Sequence, residues 1–400
     1  MSTLKVDAIR HNSATSDAIT TAADGTCTAK LTSVGGGQLS HRNIVINGDM
    51  RIAQRGTSST STGYQTVDRF KSIESGTDES PTYAQVDVAS GTTPYTLGFR
   101  KALRVTNGNQ TNGAGGGDYI WIQTPLEAQD IANSGWNYTS SSSNITLSFW
   151  VKSSVAQDFK GYLRSNDGTN KAYAIATGSL SADTWTKITK TIPGHSDLQF
   201  DNDNGHGLEI NFLPFLGTDR TDGSVTEDAW VTYSSSARTK DNTSTWYTTN
   251  DATFEITGVQ LEVGPVSTPF EHRSFTDELR RCQRYCYVNP YGANSQNTKF
   301  IDNVYGDTKS SSEIQALVTL PVPMRDTPSY TGSSTNIELF AENGSDYFTA
   351  DGFSNYLTYG GENCQSMSLR KSSASGITAG QGGKFLWRAT GGFMKFDAEL

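Results

Sequence analysis

The amino-acid sequence predicts an all-β protein, with a jelly-roll β-sandwich, one short connecting helix and a smaller C-terminal β-sandwich-like domain. The composition is the first reason: 34% of the 400 residues are hydrophobic and 18% are charged, yet 10% are aromatic and 39 are glycine. A disordered chain would be poor in aromatic residues, whereas strands joined by many turns have this polar, glycine-rich composition. The second reason is the alternation of apolar and polar residues in several segments, which indicates sheets with one buried face.

Residues 1–41 form the first predicted unit, an attachment segment. They contain few aromatic residues and are dense in Thr, Ala, Ser and Asp. Short alternating stretches such as residues 4–9 indicate strands with one apolar face. The segment is too polar to bury a core alone, so we expect it to dock on another surface or to pair with copies of itself. A flexible tail is the alternative interpretation.

Residues 42–275 are predicted to form the jelly roll. Polar, turn-rich loops at 107–117, 139–143 and 201–207 separate the predicted strands. No Cys-Trp-Cys framework of the antibody type occurs, which favours a jelly roll over an immunoglobulin-like sandwich. The clearest predicted strands are residues 43–47, 119–122, 145–152, 185–192, 208–212 and 254–263.

Residues 276–288 are predicted to form the connecting helix. Ser274 can cap its first turn, which contains acidic residues, and Leu279, Cys282 and Cys286 recur at helical spacing. Residues 289–400 are predicted to form the C-terminal β domain, with strands at 313–318, 336–340 and 384–388. The four cysteines do not make a disulfide framework, and we expect all of them to be free thiols.

Charge and motif content exclude several classes of function. The net charge of −9 and the absence of a basic cluster argue against a nucleic-acid partner. No apolar run approaches the roughly 20 residues of a membrane span, and no apolar core of a signal peptide follows the first methionine. The sequence contains no Gly-x-Ser-x-Gly, Walker or His-Glu-x-x-His motif. We therefore expect a protein that is not an enzyme.

Sugar binding is the chemistry that this composition supports, because aromatic rings stack on sugar C–H faces and amide and carboxylate groups bond hydroxyls. Trp121, Trp150 and Trp185 fall within predicted strands and are expected in the core. Four aromatic residues in polar loops are the candidate ligand-binding residues, with packing or a subunit interface as the alternative role. They are Trp136, Tyr138, Trp246 and Tyr247.

A candidate calcium loop is the one sign of a cofactor. Asp201 and Asp203 alternate within an Asp-Asn-Asp-Asn-Gly segment, and oxygen ligands at alternate positions suit Ca²⁺. The match to the helical calcium loop is incomplete, since the glycine falls one position early and no Glu stands at the twelfth place. A solvated turn is the alternative, and it is the one that we favour.

Several motifs together resemble those of tail-fibre and virion structural proteins of tailed bacteriophages. They lie at residues 43–56, 68–70 and 256–273, with further matching stretches at 147–152, 204–208, 278–285 and 396–400. The resemblance covers about residues 42–400, and residues 1–41 are similar to short virion-anchoring segments. It implies a β-sandwich like a carbohydrate-binding module, displayed on a phage particle and usually trimeric.

The resemblance implies a tail-fibre-like appendage that attaches the phage to surface polysaccharide or another receptor of its host. Such a protein would be located in the virion after assembly in the host cytoplasm, with other virion proteins contacting residues 1–41. The alternative is a capsid decoration or accessory fibre without a receptor-binding role. Other members of the family often have an aromatic residue where Cys286 stands, which argues against a functional cysteine pair.

The motifs of the resemblance are expected to be signatures of the fold and not of catalysis. Arg51, Arg55 and Arg69 are expected to pair with internal acids, and residues 268–271 are expected to form the exit strand of the sandwich. The acids proposed as their partners are Asp49, Asp68 and Glu262.

Overall fold

The structure of the chain is a computed structural model. It describes residues 41–290 without interruption. In the C-terminal part it describes residues 299–332, 337–341, 347–349, 355–357, 363–371, 377–387 and 393–400. Before residue 41 it describes residues 6–10, 12–13, 15, 19–21, 23 and 27–29.

A small antiparallel sheet near the N-terminus contains three short strands, β1 (Ala8–Ile9), β2 (Ile19–Thr21) and β3 (Cys27–Ala29). Ile9 pairs with Ile19, so residues 8–9 form the strand expected within residues 4–9. Residues 4–5 lie outside the described part of the chain. Val6 and Ile9 expose 41% and 55% of their surface. Ile9 of this small sheet and Val6 beside it therefore present apolar side chains to the outside.

Two six-stranded antiparallel sheets form the sandwich. Sheet I has the strand order β14-β11-β10-β13-β8-β5, and sheet II has the order β12-β9-β15-β7-β6-β4. The strands are β4 (Ser58–Ser59), β5 (Lys71–Ser75), β6 (Thr82–Asp87), β7 (Lys101–Thr106), β8 (Tyr119–Glu127), β9 (Asn144–Ser153), β10 (Asp158–Ser165), β11 (Lys171–Ser179), β12 (Thr186–Pro193), β13 (His206–Leu216), β14 (Trp230–Thr232) and β15 (Thr253–Val263).

The main core lies between the inner faces of sheets I and II. Phe149 of β9 meets Phe212 of β13 edge to face with ring centroids 5.0 Å apart, and Phe159 of β10 meets Phe254 of β15 at the same distance. Each strand sends alternate residues into this core, because successive side chains of a strand point to opposite faces. The predicted β-sandwich and five of its six predicted strands are confirmed.

The helices are short and serve to join strands. α1 (Thr93–Thr96), α2 (Ala128–Ala132) and α3 (Thr245–Thr248) interrupt loops of the sandwich, as does a 3₁₀ turn at Thr218–Arg220, and α4 (Phe275–Gln283) follows the last strand of the sandwich. Ser274 caps α4, since its Oγ accepts from the N–H of Asp277 at 3.1 Å. Among the described residues, no helix has the length and apolarity needed to cross a membrane.

The predicted helix is longer than the observed one. α4 ends at Gln283, and Cys286 begins a strand. A turn separates them, with the Tyr285 N–H donating to the Cys282 carbonyl at 2.9 Å, and Tyr285 is buried in that turn. Cys282, Cys286 and Cys364 are buried free thiols, as expected. The side chain of Cys27 lies outside what the structure describes.

The C-terminal part contains a seven-stranded sheet, β21-β20-β24-β17-β18-β23-β22, and a three-stranded sheet, β16-β25-β19. A second core between them includes Phe385 and Met367 from the larger sheet and Phe396 from the smaller, which confirms the smaller β-sandwich-like unit. The strands are β16 (Cys286–Pro290), β17 (Lys299–Ser310), β18 (Glu313–Met324), β19 (Ser329–Gly332), β20 (Ile337–Ala341), β21 (Tyr347–Thr349), β22 (Asn355–Leu357), β23 (Cys364–Lys371), β24 (Gly382–Trp387) and β25 (Phe393–Asp397).

Residues 43–47 do not form the predicted strand. The Asn43 side chain accepts from the N–H of Leu261 at 3.1 Å, and Asn47 adopts a left-handed φ of 60°. A turn begins there, and a Cβ on Gly48 would lie 2.0 Å from the Val259 carbonyl oxygen. A turn takes the place of the strand because the Asn43 side chain and the Gly48 carbonyl bond backbone groups of β15.

Residues 268–271 are not an exit strand either. Glu271 accepts hydrogen bonds from the backbone N–H groups of Arg42 and Asn43 at 3.1 and 3.0 Å. The segment lies outside the strands of both sheets. The segment joins β15 to α4. Through Glu271 it also fixes the backbone at residues 42–43, where the sandwich begins.

The expected pairs of the motif arginines are partly correct. Arg51 contacts Asp49, and Arg55 lies 3.6 Å from Asp68. Among the described residues Glu262 has no arginine partner, and it accepts from the backbone N–H of Thr268 at 2.8 Å. Arg69 pairs with Glu399, close to the end of the chain. The two wrong predictions have different causes, because Arg69 finds a partner 330 residues away whereas Glu262 is satisfied by Thr268 six residues away.

Candidate functional site

The four aromatic residues predicted as ligand-binding groups are packed into the protein. Trp246 and Tyr247 have no exposed surface and Trp136 exposes 3%. Tyr247 stacks on Phe215 with ring centroids 4.2 Å apart, and half-buried Tyr138 meets Phe200 edge to face at 5.0 Å. The expectation of exposed rings is wrong for Trp136, Trp246 and Tyr247, because polar loops fold back and use them to close the core, while Tyr138 stays half-buried. A ring without an exposed face cannot stack on a sugar.

The candidate calcium loop is exposed at both of its carboxylates, Asp201 and Asp203. Asp203 accepts from the N–H of Gly205 at 2.9 Å, and the N–H of Asp201 donates to Asp167 at 3.0 Å. Burial and the neighbouring acids raise the pKa of Asp167. Within the described residues, no group of three or more His, Cys, Asp or Glu side chains is arranged to hold a metal ion. Calcium binding by this loop stays a prediction.

The outer side of sheet I carries a concentration of polar and aromatic side chains, which we name the polar face. Along β8, Ile120 and Ile122 point into the core while Tyr119, Trp121 and Gln123 point outward. Trp121, Tyr162, Glu209 and Asn211 form its buried floor, together with Arg238. Its half-exposed residues are Lys71, Tyr119, Gln123, Arg164, His206, Arg220 and Tyr233.

Glu209 is the centre of a hydrogen-bond network on the polar face. Its carboxylate accepts from Gln123 Nε2 at 2.9 Å and from Asn211 Nδ2 at 3.3 Å, and it lies 3.8 Å from Arg164 Nη1. Burial raises the pKa of Glu209, although Arg164 opposes that shift. The network holds Gln123 and Arg164 in fixed orientations, so each presents its remaining polar surface to a ligand without further ordering.

His206 stands beside the same carboxylate, with Nε2 3.4 Å from Glu209 Oε2. Burial lowers the pKa of His206 to about 4, and the positive charge of Arg164 adds to that shift. The imidazole is therefore neutral at neutral pH, and its contact with Glu209 is not an ion pair under those conditions.

Three arginines on the polar face lie over aromatic rings. Arg164 lies 4.0 Å from the Tyr233 ring centroid, Arg220 lies 4.4 Å from that of Tyr119, and Arg238 lies 5.0 Å from that of Trp121. Arg220, Tyr233 and Arg238 all belong to the 217–241 segment, so these contacts hold the segment against sheet I. Stacking of this kind contributes about 0.5–2 kcal/mol per pair.

The polar face also contains polar atoms whose bonding capacity is unused. Among the described residues, the Nε atoms of Arg164, Arg220 and Arg238 and the indole N–H of Trp121 are buried without a hydrogen-bond partner. Trp121 and Arg238 expose only 7% and 9% of their surface. Buried polar groups are usually paired, so these atoms have bonding capacity that a ligand or solvent could use.

A concavity of about 420 Å³ lies on the outer side of sheet II. Trp150, Phe270 and Lys187 line it, with Leu97 exposing 51% of its surface. Trp150 and Trp185 are half-buried there and do not lie in the main core, so their expected core position is wrong. None of the described lining residues has a buried polar atom without a partner, and the polar face is therefore the stronger candidate site.

The sequence contains a signal for the polar face that loop-based reasoning misses. In β8, Tyr119, Trp121 and Gln123 alternate with isoleucines, which places two aromatic rings and an amide on one outward face. Arg220, Tyr233 and Arg238 have no such signal, because they lie in an irregular segment whose docking on sheet I is set by tertiary contacts. The arrangement can stack on apolar ring faces and can bond hydroxyl or anionic groups.

No protein-family model and no curated protein matches the sequence. Among solved structures, the enzymatically active domain of tailspike protein 4 of bacteriophage CBA120 is similar at 11% identity and a TM-score of 0.29, covering 55% of this chain. The chain spans only 21% of that protein. A carbohydrate-binding module of family 4 is similar at 13% identity and a TM-score of 0.28, covering 55% of this chain and 99% of its own. The tandem CBM22-1–CBM22-2 domain of Paenibacillus barcinonensis Xyn10C is similar at 9% identity and a TM-score of 0.27, covering 92% and 98%.

Proposed function

We propose that this chain is a virion appendage protein of a tailed bacteriophage that attaches the particle to its host by binding a surface glycan on the polar face. One observation carries the glycan-binding part: half-exposed Tyr119 and Tyr233 stand beside Gln123 and Arg164, which Glu209 holds in place. Sugar recognition requires these two elements together, a ring for the C–H face and fixed groups for the hydroxyls.

The proposed action is binding without bond cleavage. A glycosidase needs two carboxylates facing one bond, whereas the polar face has one carboxylate, Glu209, which is buried and bonded to Gln123 and Asn211. Weak single contacts become effective when several copies engage one cell, since linked sites raise the apparent affinity by multivalency. A homotrimer displayed on a virion through residues 1–41 would supply that valency. The virion location and the trimer are supported by the motif resemblance of residues 42–400.

The test is binding of the purified full-length protein to host cells with and without their surface polysaccharide, together with a glycan array. Tyr233→Ala removes one half-exposed ring from the polar face, and we expect it to weaken glycan binding by about three- to tenfold. Trp185→Ala is the matched control, because Trp185 is a half-buried ring on the outer side of sheet II. Equal binding to cells with and without polysaccharide would contradict the proposal.

A capsid decoration or accessory fibre without receptor binding is the alternative. Cryo-EM of phage particles labelled on this chain would separate the two, since an attachment protein is expected on the tail and a decoration on the capsid. No binding to either kind of cell, with density on the capsid, would favour the decoration. Analytical ultracentrifugation showing a stable monomer at micromolar concentration would contradict the trimer.

A further inference from the structure

We propose that the glycan bound on the polar face is an acidic polysaccharide, whose anionic groups are held by half-exposed Arg220 near the buried charge of Arg238. This inference rests on the proposed function, since it specifies the ligand class of the same site. It starts from an imbalance of charge, because a chain with a net charge of −9 places four basic side chains around one carboxylate on this surface. The four are Lys71, Arg164, Arg220 and Arg238.

The single acid of the polar face is already engaged. Glu209 accepts from Gln123 and Asn211 and lies 3.8 Å from Arg164. Nearby Glu227 is bound to Lys160 at 2.8 Å and lies 3.9 Å from Lys240. The protein therefore supplies one contact acid, to Arg164, and none to the other two arginines.

Arg220 and Arg238 have no acid within ion-pair distance in the described part of the chain. Their side chains lie over the rings of Tyr119, Trp121 and Tyr233. Glu209 attracts Arg238 only through space, without contact. A buried cation without a contact anion is unfavourable, and ring stacking returns only a part of that free energy.

The geometry of the guanidinium group makes an anion the matching ligand. A guanidinium that stacks through its flat face still has its N–H groups in the plane of the group. The Nε of Arg220 and the Nε and Nη1 of Arg238 are buried and have no partner among the described residues, so an anion reaches the pair through the exposed end of the Arg220 guanidinium. Carboxylate, sulfate and phosphate groups bond such an edge with two oxygens, and these charge-assisted bonds are about twice as strong as neutral ones.

A neutral glycan would leave these charges unmatched. Sugar hydroxyls accept hydrogen bonds but bring no negative charge, so they would not relieve the burial of Arg238, which exposes 9% of its surface. A saccharide with a carboxylate or sulfate on the ring can stack on Tyr119 or Tyr233 while its anionic group reaches Arg220. The aromatic and cationic groups of the face are thus used by one ligand.

The experiment measures binding of the full-length protein to three probes: sodium polygalacturonate, dextran sulfate and neutral dextran, at about 50 and 300 mM NaCl. We expect both acidic polymers, or the one with the preferred anion, to bind at least about tenfold more tightly than dextran. We also expect that preference to shrink at the higher salt concentration, because salt screens charge attraction. These readouts need no variant and so do not depend on how a mutant folds.

Arg220→Gln tests the residue assignment, since Arg220 is half-exposed and its replacement keeps similar length. We expect it to weaken binding of the acidic polymer by about tenfold, because charge-assisted bonds are lost, and to weaken dextran binding by a smaller factor. Arg370→Gln is the matched control, because Arg370 is a partly exposed arginine that pairs with Glu313 at 3.0 Å in the C-terminal sheet.

The outcomes separate the two proposals. Equal, salt-insensitive binding of dextran and the acidic polymers would overturn the acidic-ligand inference while leaving glycan binding intact. Acidic binding that Arg220→Gln and Arg370→Gln weaken equally would overturn the assignment to the polar face. No binding of any glycan, on the array or among these polymers, would overturn the proposed function and this inference with it.

Discussion

Arg55 Nη2 lies 3.1 Å from Oε1 of Glu399, so a residue near the start of the sandwich pairs with the penultimate residue of the chain. The second oxygen of Glu399 contacts Arg69. All three side chains are buried, with Glu399 exposing 5% of its surface, Arg55 3% and Arg69 2%. Arg55 also reaches Asp397 of β25 at 3.1 Å. The end of the chain therefore joins the C-terminal sheets to the sandwich by a buried charged network.

Glu399→Gln should destabilise this junction. Removing one charge of a buried network leaves the two arginines undercompensated, and breaking a buried ion pair costs about 3–5 kcal/mol. Urea unfolding followed by circular dichroism would measure the loss. Glu313→Gln is the control, because its pair with Arg370 is 35% and 26% exposed and such pairs contribute about 0–1 kcal/mol. Equal midpoints for the two variants would show that the network is not stabilising.

The motif arginines show where reading the sequence succeeds and where it fails. Arg51 and Asp49 are two residues apart and their contact is predictable, because local geometry brings them together. Arg69 and Glu399 are 330 residues apart in sequence, and no periodicity relates them. Strands such as β9 and β15 are predictable from alternation, whereas the contacts that join one sandwich to the other depend on tertiary structure.

Gly258 allows a close approach on the outer side of sheet II, and Gly258→Ala should destabilise the sandwich by about 1–3 kcal/mol. Its φ is +64°, and an added Cβ would lie 2.7 Å from Phe99 Cζ and 3.2 Å from Trp150 Cδ1. Gly91→Ala is the matched control, since Gly91 has a φ of +84° and no atom within 4 Å of an added Cβ. Chemical denaturation measures the unfolding free energy of both variants. Equal losses of stability would mean that backbone strain, and not the contacts with Phe99 and Trp150, explains the effect of Gly258→Ala.

Trp246→Ala should destabilise the protein because Trp246 has no exposed surface. Truncating a buried tryptophan costs about 3–5 kcal/mol through lost burial and the cavity that remains. Thermal unfolding would show the loss, and glycan affinity measured well below the transition should equal that of the wild type. A stable variant with weakened glycan binding would contradict the core position of this ring.

Trp246 and Tyr247 show why the polarity of a loop is a poor guide to the exposure of its aromatic rings. Trp246 and Tyr247 stand in a Thr-, Ser- and Asn-rich segment, which is typical of an exposed loop. The chain instead forms the short helix α3 and turns both rings inward. Local polarity cannot report this, because a loop buries a ring whenever the core has space for it.

The Asp201 loop provides a prediction about metal removal. Its carboxylates already accept local hydrogen bonds, from Gln199 to Asp201 at 3.0 Å and from Gly205 to Asp203 at 2.9 Å. We therefore expect dialysis against EDTA to leave the melting temperature unchanged. A rise in melting temperature with added Ca²⁺ that Asp201→Asn abolishes would show instead that the loop binds the ion.

The pKa of His206 predicts how the stability of the sandwich changes in acid. Its pKa falls to about 4 in the folded protein, chiefly through burial, against about 6.5 in an unfolded chain. The unfolded state therefore takes up a proton first, so this contribution to stability is complete above about pH 6.5 and is lost as the pH falls toward 4. The buried carboxyl of Asp68 acts in the opposite direction, because burial raises its pKa to about 6 and its contribution decreases as the pH rises from about 4 to 6.

His206→Asn isolates the histidine from the carboxyls, since the variant keeps Asp68 and removes only the titrating ring. We expect the variant to gain stability relative to the wild type by about 2 kcal/mol between pH 6.5 and 4, a value reduced for the partial exposure of the side chain. Urea unfolding at pH 7.5, 5.5 and 4.5 measures this difference. A difference that stays constant across these three values would show that the imidazole does not resist protonation beside Arg164.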